Sequence, residues 1–219
     1  MGDDRMNHSV IRCIRTSQRL QGCAGDIMLT ARALYERNGV AATSLADIAR
    51  AAKISRPSIY YYFPDKAAIT EAVLDDYVED IVESVSTWNE LRAFGETPAE
   101  LEKCVATFRR TLYDANGAPR AMIDVLEELG RRDEFATRAV LKSVECIQNF
   151  IVPEYTAYRS IDIDCVPEMF CSLLFGIAGL MKAYPGITDK CIAKVIEQTL
   201  HLDMKEMQPP PWPEQPSGY

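Results

Sequence analysis

Between Ser55 and Phe63 the chain reads Ser-Arg-Pro-Ser-Ile-Tyr-Tyr-Tyr-Phe, and on one short helix that spacing sorts the side chains into two sets. Ile59 and Phe63, four apart, point inward, while Arg56, Ser58, Tyr61 and Tyr62 face out. Exposed aromatic rings and hydroxyls with a guanidinium, beside a buried apolar pair, are the composition of a face that meets DNA. Other chemistry has little material to work with. The two histidines, His8 and His201, lie far apart in sequence, which leaves no basis for a His-rich metal site or a Ser-His-Asp triad. The seven cysteines (13, 23, 104, 146, 165, 171 and 191) are an odd number without a CxxC pair, so neither a disulfide framework nor a zinc ribbon is expected. No enzymatic activity, cofactor or metal is expected.

The elements that must position the Ser55–Phe63 face are helical. Apolar residues recur at intervals of three and four, period-two alternation is absent, and Gly and Pro punctuate the pattern into about nine helices, so the fold class is all-α. The first helix is expected from Arg19 to Asn38, with Ile27, Ala31, Leu34 and Tyr35 inward and Gly39 as its stop. Ser44-Leu45-Ala46-Asp47 fits a capping box and opens a second helix that runs to about Ala52 with Leu45, Ile48 and Ala49 inward. Ala51 and Ala52 keep the corner small, and Ile54 plugs the turn. Ser55 starts the third helix with Pro57 in its first turn, and Pro64 ends it. Together these make a helix-turn-helix. Asp65 caps a fourth helix to about Glu90, whose Ile69, Val73, Tyr77, Ile81 and Val85 form one stripe. Later helices are expected at 98–115, 119–130, 133–158 with a break at Pro153, 166–184 and 189–206. The last twelve residues, Gln208 to Tyr219, hold five prolines and read as a non-helical tail.

The net charge of −8 divides unevenly: residues 1–66 carry ten Lys/Arg against six Asp/Glu (+4), and residues 67–219 carry fourteen against twenty-six (−12). Positive charge gathers at the end bearing the helix-turn-helix, as a phosphate-binding surface requires. No stretch approaches the roughly 18 apolar residues of a membrane span, and no signal peptide is evident, so a cytoplasmic location is expected.

Ile27 to Gly39, Thr43 to Ser55 and Pro57 to Lys66 resemble the TetR family in order and spacing, carried by Ser44, Asp47, Ile48, Ala49, Ile54, Ser55, Ile59, Tyr60, Phe63 and Lys66. The resemblance implies a three-helix DNA-binding domain over 1–66, a helical ligand-binding and dimerisation domain over 67–206, and the Pro-rich tail over 207–219. It implies that Ser44 and Ser55 start the two helices, with Ser44 meeting a phosphate through its hydroxyl or backbone N–H. Arg56, Pro57 and Ser58 would meet base edges, Arg56 pairing with guanine and Pro57 touching a thymine methyl. Tyr60, Tyr61, Tyr62 and Lys66 would complete the DNA face, with Tyr60, Tyr62 and Lys66 on the backbone. The sequence departs from the family pattern at three places. Lys53 stands where Gly usually allows a left-handed turn, Ala46 stands where several members carry an Arg, and Cys23 to Asp26 lack basic residues. A basic arm with Arg5, Arg12, Arg15 and Arg19 is expected to supply phosphate contacts instead.

In the family the helices beyond the fourth form an effector pocket, for which Trp88, Phe108, Tyr113, Met122, Phe150, Tyr155 and Met169 are the candidates. The last two helices form a dimer interface, for which Phe170, Leu173, Leu174, Ile177, Leu180, Met181, Ile192, Val195, Ile196 and Leu200 are the candidates, with Gly176 and Gly179 allowing close approach. The expected function is a ligand-released repressor that binds a palindromic double-stranded operator as a homodimer, its effector a small apolar or aromatic molecule. Two alternatives stay open. One is a thiol or redox sensor on the same scaffold using Cys165 and Cys171, or Cys104 and Cys146. The other is a helical interaction protein that has lost DNA binding.

Overall fold

A computed structural model describes residues 19–91, 98–151 and 165–199, and within them every regular element is a helix. The helices are α1 (Gly22–Asn38), α2 (Leu45–Ala51), α3 (Arg56–Tyr62), α4 (Lys66–Leu91), α5 (Pro98–Leu112), α6 (Ala121–Glu128), α7 (Arg132–Cys146), α8 (Val166–Ala183) and α9 (Asp189–Thr199). The basic residues Arg5, Arg12 and Arg15, the Pro-rich tail, Pro153, Tyr155 and Leu200 lie outside the described residues.

Local sequence explains the helix ends. α1 stops at Gly39, whose φ of 86° needs a residue without a Cβ, and whose N–H donates to the Tyr35 carbonyl at 2.9 Å. α4 starts beneath the Asp65 carboxylate, which accepts the Ala68 N–H at 2.8 Å. α5 ends at Leu112, earlier than the expected 115, because Asp114 folds the chain back: its Oδ1 accepts the Asn116 and Ala118 N–H groups, and Gly117 turns at φ 78°. α7 passes at Ile147 into a π-helical turn, Ile147–Ile151, six residues before Pro153.

One hydrophobic cluster joins α1, α2, α3, the start of α4 and α6 around Ile27, Tyr35, Ile48, Ile59, Ile69 and Leu126. Each of these side chains is fully buried, which removes from water an area equivalent to about 1.5–3 kcal/mol per residue. A second cluster sets Leu101, Val105 and Phe108 of α5 against Ile177 and Met181 of α8 and Ile192 of α9. α4 runs past both. Its Ile69, Val73, Tyr77, Ile81 and Val85 are all buried, as the stripe predicts, and it packs on α1, α5 and α7.

This packing corrects the reading of the α8 and α9 stripes. Ile177, Met181 and Ile192 fill the core of the chain itself and are not free for a second copy, while Phe170, Leu173, Leu174 and Ile196 pack against the same clusters and, like Leu180 and Val195, are half-buried. The two helices close on α5, which the stripes alone could not specify. The outward side of α8 instead presents Phe175, 39% exposed, with Gly176, Gly179 and the neighbouring Tyr184. No helix among the described residues is long and apolar enough to cross a membrane.

Candidate nucleic-acid interface

The α2–turn–α3 unit is fixed by side-chain caps at both helix starts. At α2 the Ser44 Oγ accepts the Asp47 N–H at 3.2 Å, and the Asp47 carboxylate accepts the Ser44 N–H at 3.0 Å and the Ser44 hydroxyl at 2.6 Å. These bonds to the ionised form, with Arg50 nearby, hold the Asp47 carboxyl below its ordinary pKa. At α3 the Ser55 Oγ accepts the Ser58 N–H at 3.2 Å and lies 2.6 Å from the Ser58 Oγ. Pro57 sits in the first turn, where no intrahelical donor is needed.

Between the caps the chain turns through Lys53 at φ 57°. The Ile54 N–H donates to the Ala49 carbonyl at 3.0 Å and the Lys53 N–H to the Arg50 carbonyl at 3.2 Å. This is the Schellman pattern, in which the left-handed position usually falls to Gly, so the family-like turn forms here with a side chain in a place that costs it. Ile54 packs on the core beside this turn, whereas Ala51 is exposed and plays no part in the helix crossing expected of it.

The outer face of α3 carries Arg56, Pro57, Tyr60, Tyr61 and Tyr62, all exposed, with Ser58 half-buried at its edge. Arg56 reaches the Tyr60 hydroxyl at 3.4 Å, a long and readily exchanged contact. Tyr61, 84% exposed, meets Tyr62 edge to face with ring centroids 5.0 Å apart. A guanidinium, hydroxyls and rings thus stand together on one helix whose Ile59 and Phe63 are locked in the core.

Two basic residues assigned to DNA are engaged elsewhere. The Lys66 ammonium donates to the Val40 carbonyl at 2.6 Å and lies 5.9 Å from the Tyr35 ring centre, which ties the start of α4 to the α1–α2 turn. Arg19 precedes α1 and is no part of a free arm. It pairs with Asp76, with Asp80 at 2.5 Å and with Glu83 at 2.8 Å, all on α4. Arg32 joins the same cluster, reaching Asp76 at 2.5 Å and Asp80 at 2.6 Å with its guanidinium 4.6 Å over the Tyr77 ring. Asp76, with a side chain only 1% exposed, is therefore held between Arg19, just before α1, and Arg32 within it.

Further clasps join the α1–α2 turn and α4 to the later helices, and no local pattern announces them. The Glu128 carboxylate at the end of α6 accepts the Val40 and Ala41 N–H groups, each at 2.7 Å, which holds it below its ordinary pKa. A Cβ on Gly39 would lie 3.0 Å from the same carboxylate, so glycine serves a second purpose there. Just before α7, Arg131 grips Glu71 and Glu134, and on α7 Arg138 grips Glu71 at 2.9 Å and Asp75 at 2.8 Å. Glu134 is drawn down to a pKa of about 2, first by its hydrogen bond to Arg131.

The effector candidates do not gather in one place. Phe108 lines a tight apolar cavity of about 60 Å³ between α4, α5, α8 and α9, and its other walls include Phe170, Leu173, Leu174, Ile177 and Ile196, residues expected at a dimer face. Met122 lies in the N-terminal core, while Tyr113 and Met169 are half-buried. The side chains of Trp88 and Phe150 are outside what is described. Cys104, Cys146 and Cys171 are buried, and burial raises the Cys171 thiol above its ordinary pKa, so its thiolate is scarce; Cys165 and Cys191 are exposed.

Comparison with known proteins follows the same division. Residues 27–73 match the family described as bacterial regulatory proteins, tetR family. The HTH-type transcriptional regulator TtgR of Pseudomonas putida is 38% identical over 65 residues, 30% of this chain and 31% of that protein. The HTH-type transcriptional regulator EthR of Mycobacterium tuberculosis is 35% identical over 140 residues, 63% of this chain and 58% of its own length. The chain thus spans between about a third and three-fifths of these relatives. Salmonella enterica GusR has the same fold with a TM-score of 0.51 at 18% identity, covering 82% of this chain and 96% of that one. The multidrug binding protein EbrR complexed with imidazole gives 0.50 at 17%, covering 80% and 87%. Over the capped α2–α3 unit and the match across 27–73 the chain is similar to the bacterial regulatory proteins of the tetR family, and it shares its all-helical fold with GusR.

Proposed function

We propose that this protein is a DNA-binding transcriptional repressor whose α3 enters the major groove. The observation that carries the reading is the exposed α3 face, with Arg56, Ser58 and the three tyrosines projecting from a helix capped by Ser55 and anchored by Ile59. Arg56 and Pro57 read base edges; Tyr60, Tyr61 and Tyr62 line the phosphates, and the Ser44 N–H at the α2 start adds a phosphate contact while its hydroxyl stays on Asp47. Lys66 acts indirectly, by holding the α1–α2 turn through Val40.

In this reading residues 1–66 are the DNA-binding domain and 67–206 the sensing and dimerising domain. Two copies related by a two-fold axis set their α3 helices about 34 Å apart on a palindromic operator. Each copy meets the other through the outward side of α8 near Phe175, Gly176 and Gly179. An apolar effector enters beside Phe108 only if α8 and α9 move outward, because 60 Å³ is far below the roughly 300 Å³ at which ligand sites begin. That motion is the coupling step, since α4 passes from the cavity to the clasps on α1.

Binding to duplex DNA from the upstream region of its own gene, measured across a salt series, tests the reading. Affinity should fall steeply with salt, and Arg56→Ala should cost about 1–3 kcal/mol of sequence preference. Wild-type protein with no sequence preference at any salt would turn the reading toward an interaction protein.

A further inference from the structure

A cavity far larger than the apolar one, about 490 Å³, lies where α1, α4, α5 and the turn into α6 meet. Its two sides have opposite charge. On one side Glu36, Asp80 and Glu83 stand around Arg32, and on the other are Arg110 and Arg120 beside the Thr107 and Thr111 hydroxyls.

The acidic side carries more negative charge than its arginines neutralise. Arg32 in that side, with Arg19 behind it, serves the four carboxylates of Glu36, Asp76, Asp80 and Glu83, of which Asp76 lies behind the wall. The buried Tyr77 hydroxyl lies beside Glu36, behind this wall. The basic side is unspent. Arg110 donates to the Thr107 Oγ1 at 3.0 Å, and the Arg120 Nε donates to the Arg110 carbonyl at 3.0 Å; among the described residues neither guanidinium meets a carboxylate. On the α4–α7 surface, by contrast, Arg138 closes on Glu71 and Asp75 at 2.9 and 2.8 Å. Here the helix packing keeps the opposite charges apart across open space.

We propose that this cavity binds a small dipolar molecule, its carboxylate held by Arg110 and Arg120 and its ammonium set against Glu36 and Glu83. Planar guanidiniums beside hydroxyl groups match a carboxylate with charge-assisted hydrogen bonds, and the surplus carboxylates opposite match a cation. A volume of 490 Å³ lies within the ordinary range of ligand sites. The bound molecule bridges α1 of the DNA-binding end and the α5–α6 corner, so it is a polar effector distinct from an apolar one beside Phe108. The binding itself does not depend on the proposed DNA function; only its regulatory consequence rests on that reading.

Calorimetric titration of the full-length protein with 6-aminohexanoate, hexanoate and hexylamine tests the site, since the three share a chain and differ only in charge. The zwitterion should bind about tenfold more tightly than either relative, the factor expected of one further charge-assisted contact. Arg110→Gln and Arg120→Gln should each weaken 6-aminohexanoate and hexanoate about tenfold, leave hexylamine unchanged and leave the melting temperature unchanged. Equal binding of all three probes, no saturation by about 10 mM, or arginine variants that bind like wild type would each overturn the proposal. Wild-type protein that takes the zwitterion but has no sequence-selective affinity for DNA would overturn the repressor reading and leave the site standing.

Discussion

Lys53 is a lysine in a glycine's place, and replacing it should stabilise the protein. Its φ of 57° sets the Cβ against the following carbonyl, at a cost of about 1–2 kcal/mol for an L-residue. Its side chain is exposed and makes no hydrogen bond or ion pair among the described residues, so Lys53→Gly removes the strain without losing such an interaction. The glycine frees the unfolded chain as well, which returns about 0.5–1 kcal/mol. A net gain of about 0.5–1 kcal/mol remains, and for a chain of this size it raises the melting temperature by about 1–4 °C. Lys53→Ala is the control: it keeps the Cβ and therefore the strain, and it should lie within about 0.5 kcal/mol of wild type. Thermal unfolding of the three proteins at equal concentration decides the matter. Should Lys53→Gly melt no higher than Lys53→Ala, the turn carries no cost, and the argument that the Schellman geometry is held by Ile54 and the two caps against a local penalty fails.

Asp76→Asn should destabilise by about 1–3 kcal/mol in denaturant titration, because Arg19 and Arg32 lose the more buried of their two shared carboxylates and keep Asp80; Asp75→Asn, at an exposed carboxylate, should change little. Glu128→Ala should accelerate amide exchange at Val40 and Ala41 specifically, and an unchanged rate at both would show that the clasp is not formed in solution. Glu71, Glu128 and Glu134 all have lowered folded pKa values, so each contributes stability that is present above its unfolded pKa and lost as pH falls through the folded one. Melting temperature should therefore decline from about pH 5 downward, with the Glu134 part persisting to about pH 2, and Arg131→Gln should flatten that decline.

What the sequence determined lies within one helical turn of itself. The Ser44 capping box, the Ser55 cap before Pro57, the Gly39 stop and the inward stripe of α4 are relations between residues three or four apart, and helix geometry turns such spacing directly into contact. The outward-facing set on α3 was legible for the same reason. The α8 and α9 stripes were legible as apolar but silent about their partner, because burial in α5 and burial in a second copy demand the same pattern. Nor could any local rule send Arg19 to α4, Lys66 to the Val40 carbonyl, or Glu128 to two N–H groups 88 and 87 residues away. The opposed charges around the large cavity likewise come from helices that meet only on folding. A charged side chain reads as solvated wherever it stands in sequence; only the packing of helices determines which of them find a partner and which are held apart from one.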